Sequence, residues 1–212
     1  IAECLVGSEM CIRDRPLLTM HNNTEGTVSY TNLLCIPSSK PFDLFNPDRK
    51  SSLKLYINRV FITDKCDNLI PAYLRFVKGI VDTQDIDLNV SREMLQNNPA
   101  VAKISKSLVG KILRELKKIA DKDKAKYIQF WNEFGQVLKE GLYEDLERKD
   151  TLLELARFSN NENDDLISLE DYVNTMDKNQ KDIYYIAADT KSQALSSPHL
   201  EGFKSKGIKV LV

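Results

Sequence analysis

Between Asn98 and Leu142 apolar residues return every three or four positions, and this periodicity limits the possible architecture more than any other feature. Val101, Ile104, Leu108, Ile112, Leu116 and Ile119 form one stripe; Ile128, Trp131, Phe134, Leu138 and Leu142 form a second. Such spacing puts the apolar side chains on one face of a helix, which must then be buried. Asn98 can cap the first helix, with Pro99 in its first position, where a missing N–H costs nothing. Both helices therefore need an apolar surface to cover, and the upstream residues supply strands.

The run T-V-S-Y-T-N-L-L-C-I-P from Thr27 to Pro37 reads as a strand ended by proline. Leu53 to Ile62 reads as a second strand, Pro71 to Phe76 as a short helix, and Val77 to Val81 as a third strand. Ile86 to Val90 is extended and leads into Ser91. Downstream, Thr151 with Glu154 and Ser168 with Asp171 each fit a capping box. The run Asn160 to Asp165 lacks the glycine and terminal glutamate of a calcium loop and reads as a solvated linker. Ile183–Ala187, a helical stretch from His199 to Lys206, and Ile208–Val212 make a strand–helix–strand unit that stops mid-strand. The class is α/β. Residues 1–20 carry two cysteines, the cluster Arg13-Asp14-Arg15 and no sustained period, and are expected to be a foreign leader.

Apolar residues are 42% of the chain and charged residues 29%, the balance of a soluble globular protein. No apolar run reaches the length of a bilayer span, and the first residues lack the pattern of a signal peptide. Thirty basic against 31 acidic side chains argue against nucleic-acid binding. The charge is uneven: Lys103 to Lys126 has nine bases against three acids, and Glu140 to Asp177 twelve acids against three bases. Solvated helix faces account for both stretches. Cys4, Cys11, Cys35 and Cys66 form no C-x-x-C pair, so free thiols in a reduced, cytosolic-type compartment are expected, with no metal site.

The chain has no G-x-x-x-x-G-K-[ST], G-x-G-x-x-G or G-x-S-x-G, which argues against an independent nucleotide site or a serine triad. One constellation carries chemistry: Leu88-Asn89-Val90-Ser91-Arg92-Glu93-Met94-Leu95-Gln96. Ser91 can cap a helix whose first turn holds Arg92, where free backbone N–H groups already favour anions. A guanidinium beside them can fork onto phosphate oxygens, and Gln96, four residues on, shares its face. An arginine in a first turn is also commonly just solvated.

That motif, with P-F-D-L-F at Pro41–Phe45 and L-K-L-Y-I-N-R-V-F-I-T-D at Leu53–Asp64, resembles the middle domain of the heat-shock protein 90 family. Further matches are Y-L-R-F-V-K-G-I-V-D at Tyr73–Asp82, F-W-N-E-F-G at Phe130–Gly135 and S-S-P-H-L-E at Ser196–Glu201. The likeness covers Thr24 to Val212 in unbroken order, and the lack of a long acidic insertion is similar to the bacterial form.

The resemblance implies two αβα sandwich-like subdomains, residues 21–137 and 166–212, the second truncated, joined by a helical connector at 138–165. It implies an ATP-dependent chaperone in which a separate N-terminal domain holds ATP and Mg, and a C-terminal domain makes the homodimer. Arg92 would then reach the γ-phosphate, Gln96 would support its loop, and Phe61 would pack against the docked ATPase domain. Implied partners are unfolded clients and a seventy-kilodalton chaperone in the cytoplasm, with no nucleic acid and no membrane. The competing reading is a non-catalytic interaction module in which Arg92 is structural. For Phe61 it is core packing on an apolar strand.

Overall fold

The computed structural model describes residues 16–46, 52–64, 66, 68–87, 94–95, 98–163, 165–178, 180–188 and 190–212. The chain divides into two compact units, Ile1–Glu144 and Asp145–Val212.

The first unit is built on a five-stranded mixed sheet. Its strands are β1 (Leu18–Thr24), β2 (Tyr30–Ile36), β3 (Ser52–Ile57), β4 (Val60–Thr63) and β5 (Lys78–Thr83), in the order β1-β2-β5-β3-β4. Within it β1–β2, β2–β5 and β3–β4 pair antiparallel, whereas β3 and β5 run parallel. At the centre, Gly79 of β5 has φ +144°, and a Cβ there would lie 2.1 Å from the Leu33 carbonyl oxygen. Only glycine lets β2 and β5 approach this closely.

Leu17 to Met20, set aside above with the leader, open the sheet. Leu17 donates its backbone N–H to Ile36 O (2.8 Å), Leu17 and Met20 are buried, and Leu18 pairs with Ile36. Short apolar stretches hide a strand's period until a partner strand supplies the register.

The run Leu53–Ile62 is two strands instead of one. Asn58 (φ 50°) and Arg59 (φ 66°) both adopt the left-handed region, forming the two-residue turn of a tight hairpin between β3 and β4. Asn58 is a common residue there and arginine is not, so the turn is masked in the sequence. Two bonds hold it: Asn58 N–H to Thr83 O (3.0 Å) and Arg59 N–H to the Asp82 carboxylate (3.1 Å).

Helix α1 (Pro99–Lys122) starts as its sequence dictates: the Asn98 side chain accepts the Ala100 N–H at 2.8 Å, with Pro99 at the first position. Asp123 ends α1, and its carboxylate accepts the Lys126 N–H (3.0 Å) in the first turn of α2 (Lys124–Glu144). Residues 138–144, expected in a connector, continue α2. The α1 stripe is buried from Val101 to Leu116, joined by Val109 and Leu113. In α2 the buried face is Tyr127, Phe130, Trp131, Phe134, Val137 and Leu138, while Ile128 and Leu142 are only half-buried. Phe76, wholly buried after the 3-10 turn Ala72–Leu74, sits between Phe130 (5.5 Å between ring centroids) and Phe134 (4.9 Å). The sheet is tied to α1 where Tyr30 and Ser107 hydroxyls hydrogen-bond at 2.7 Å, and the Lys111 ammonium lies 5.0 Å from the Tyr30 ring centroid.

The second unit holds α3 (Lys149–Leu155), α4 (Leu169–Asn174), α5 (Lys191–Leu195) and α6 (Glu201–Ser205). Thr151 lies inside α3 and does not cap it, because Lys149 and Asp150 already continue the preceding 3-10 turn at Leu146–Arg148. The second box is present: Ser168 Oγ accepts the Asp171 N–H (2.9 Å) and the Asp171 carboxylate returns to the Ser168 backbone. The two expected strands meet as a single parallel bridge, Tyr185 to Leu211. Tyr172 ties this unit together, its hydroxyl donating to Lys209 O (2.7 Å) and accepting from Tyr184 N–H (3.1 Å).

Asn160, expected in a solvated linker, is 1% exposed. Its amide donates to Asn163 Oδ1 (2.9 Å) and Asp165 O (2.8 Å), and its Oδ1 accepts the backbone N–H groups of Glu162 and Asn163. A polar run is a linker only when its side chains face water; the Asn160 side chain instead bonds within the run, and Asn161 Oδ1 accepts the Val210 N–H (2.8 Å).

Candidate functional site

Arg92 and Gln96 lie outside the described residues, and with them the Ser91 cap. The flanks of their segment are described. On the upstream side Thr83 donates its hydroxyl to Ser29 O (2.9 Å), the Asp85 carboxylate accepts the Ser29 N–H, and Ile86 is buried. Downstream, Leu95 is buried, Met94 is exposed, and Asn98 opens α1. The described residues on either side of the segment are therefore held, upstream where β5 ends and downstream where α1 begins.

Phe61 lies on β4, the outer strand of the sheet. Had Leu53–Ile62 been one strand, Phe61 would share the face of Leu53, Leu55 and Ile57, all 0% exposed. The hairpin instead sets it opposite Tyr56, on the other face. It is 50% exposed, as is its neighbour Val60, so it is not a core residue. Tyr56 supports the ring edge to face at 5.6 Å. The result is a small apolar patch at a sheet edge, beside the exposed Arg59 at the hairpin tip.

A second exposed aromatic pair lies in the P-F-D-L-F turn. Phe42 is fully exposed and Phe45 46% exposed, while Leu44 between them is wholly buried. Composition marks the turn as aromatic, but only the structure shows which apolar residue anchors it.

The basic stretch is divided in use. Lys117–Asp121 (3.5 Å) and Lys118–Glu115 (2.5 Å) are pairs within α1, and the Lys111 ammonium bonds the Thr24 hydroxyl. Lys103 and Lys106 line an open groove of about 450 Å³ with Thr24, Thr27, Tyr30 and Ser107. In α2, burial lowers the pKa of Lys139, whose ammonium lies 5.5 Å from the Trp131 ring centroid. Cys35 and Cys66 are buried, and neither is in a disulfide among the described residues. Among the described residues no three His, Cys, Asp or Glu side chains cluster as metal ligands, and no helix is long and apolar enough to cross a membrane.

A mixed five-stranded sheet with two long packed helices, followed by a smaller α/β unit, defines the protein as an α/β domain of the chaperone middle-domain type. The chain belongs to the Hsp90 protein family, which matches residues 10–212 and so takes in residues 10–20 of the stretch set aside as a leader. It is similar to the chaperone protein HtpG of Paramagnetospirillum magneticum, 55% identical over 199 residues, and to that of Roseobacter denitrificans, 53% identical over 199 residues. Each alignment covers 94% of this chain and 32% of the relative, so the chain spans about a third of the length of these proteins. The solved middle domain of a Plasmodium falciparum heat shock protein superposes with a TM-score of 0.79 at 34% identity, covering 94% of this chain and 77% of that one.

Proposed function

We propose that this chain is the middle segment of an ATP-dependent molecular chaperone, and that it lends Arg92 to an ATPase site housed in a separate N-terminal domain. The observation that carries this reading is the intact run L-N-V-S-R-E-M-L-Q at Leu88–Gln96 in a chain of the Hsp90 family. ATP with Mg²⁺ is held by that other domain; this chain's part is to bring positive charge to the γ-phosphate. Transfer of a phosphoryl group to water needs positioning and charge neutralisation more than covalent help. An arginine delivered by docking makes hydrolysis conditional on closure, so ATP favours the closed state because only there does the guanidinium meet the phosphate. Gln96 supports the Arg92 loop, and Phe61, half-exposed on β4, packs against the docked domain. Client proteins, a seventy-kilodalton chaperone, dimerisation through a C-terminal domain and a cytoplasmic setting complete the reading.

Arg92→Ala in the full-length parent tests it. ATP turnover is expected to fall by ~10³ with nucleotide affinity nearly unchanged, the pattern of an arginine finger. Turnover within a few-fold of the parent would favour the second reading, a non-catalytic interaction module in which Arg92 is structural. The exposed aromatics Phe42, Phe45 and Phe61 support that alternative.

A further inference from the structure

Among the described residues the aromatic turn 40–46 pairs with no strand, yet it is fastened to α2 at two points by two carboxylates seven residues apart. Glu133 accepts the Lys40 backbone N–H on its Oε2 at 2.8 Å. Glu140 acts through Arg75, whose Nη1 and Nη2 donate to the two Glu140 oxygens at 2.5 and 2.9 Å. The same guanidinium donates from Nε to Leu44 O (2.9 Å) and from Nη1 to Ala72 O (3.0 Å). Seven residues are two helical turns, so Glu133 and Glu140 stand on one face of α2. The Glu140 hydrogen bonds are the largest reason the Arg75 pKa is held above its ordinary value, against the opposing effect of burial.

We infer that Arg75 with Glu140, and Glu133 beside them, form a latch that fixes the P-F-D-L-F turn and holds Phe42 in water. The turn's internal bonds are Leu44 N–H to Pro41 O (3.1 Å) and Asn46 N–H to Asp43 O (3.0 Å). These bonds close the turn on itself. Left to itself, a seven-residue turn bearing two phenylalanines loses exposed apolar area by folding them down. Leu44 is driven into the core, and its carbonyl needs a donor there; Arg75 is that donor. Only arginine has the geometry: its planar fork takes both carboxylate oxygens while the Nε–H points to a third acceptor. Lysine can meet one group or the other as a point charge and leaves the Leu44 carbonyl or the carboxylate poorly served. The latch is a charge-built strap under an aromatic surface.

The test is solvent exchange of single amides by NMR on the 212-residue chain. Arg75→Ala is expected to speed exchange at Leu44 and Asn46 roughly 10- to 100-fold, the opening expected when a charge-assisted bond is lost. Ile80 and Val81 in β5 are expected to keep their rates. Glu140→Gln should act in the same direction, the double variant should be no faster than Arg75→Ala, and Arg75→Lys should fail to restore slow exchange. The latch is overturned if Glu140→Gln leaves the Leu44 and Asn46 rates unchanged, or if Val81 accelerates in step with them, which would mean general loosening. Should Arg75→Ala not fold, Glu140→Gln decides alone.

Discussion

Across the β3–β4 hairpin, Phe61 meets Tyr56 edge to face, with ring centroids 5.6 Å apart and planes at 67°. This contact leaves half of the Phe61 ring in water, so its removal should cost the fold little. Phe61→Ala is expected to lower stability by no more than about 1 kcal/mol, whereas Phe76→Ala, wholly buried between Phe130 and Phe134, should cost about 3–5 kcal/mol. Denaturant unfolding of both variants checks the contrast. Similar losses at the two sites would place Phe61 in the core after all.

Trp131 lies flat along α2 across Gly135, where an added Cβ would fall 2.6 Å from the indole. Gly135→Ala must push the ring aside, at about 1–3 kcal/mol, which outweighs the helix-propensity gain of up to about 1 kcal/mol. Trp131 is the single tryptophan, so its fluorescence should shift as the unfolding midpoint falls. An unchanged spectrum with a raised midpoint would contradict the geometry.

Asn32 sits in β2, 1% exposed, and neither its amide nitrogen nor its oxygen has a hydrogen-bond partner among the described residues. Asn32→Val removes two costly polar atoms and suits a central strand. The expected outcome is a gain of about 1–3 kcal/mol, read as a raised Tm. A lowered Tm would show that the amide is served after all.

Asn160→Ala removes four hydrogen bonds from the 160–165 turn at one stroke. At about 0.5–1.5 kcal/mol net for each bond, a loss of roughly 2–6 kcal/mol is expected, confined to the second unit. Faster amide exchange at Ile167 and Leu211, with α1 unaffected, is the matching observation.

Sequence and structure agree where the signal is local. Asn98–Pro99 and Ser168 with Asp171 cap helices as spelled, because a cap needs only its own next three residues. They part where a distant partner decides. The turn at Asn58–Arg59 is fixed by Thr83 and Asp82, some 25 positions downstream, and nothing in L-K-L-Y-I-N-R-V-F-I announces them. That hidden turn also decides which face Phe61 takes, so its exposure could not be read from alternation. Thr151 and Glu154 spell a cap, but the helix begins two residues earlier. Phe61 is marked only by resemblance to a family, whereas the Leu88–Gln96 motif stands out by its residues and takes only its expected role from that resemblance. Arg75 was passed over because its three acceptors lie 3, 31 and 65 positions away.

In the sheet, β1–β2 and β3–β4 are ribbons of near neighbours, and β5 lies between them. A growing polypeptide therefore makes both ribbons before the piece that unites them exists, and until Thr83 has emerged each shows an unmet backbone edge to its surroundings. For a protein of a family that tends other chains, the interval before its own middle strand arrives is when it most resembles something needing help.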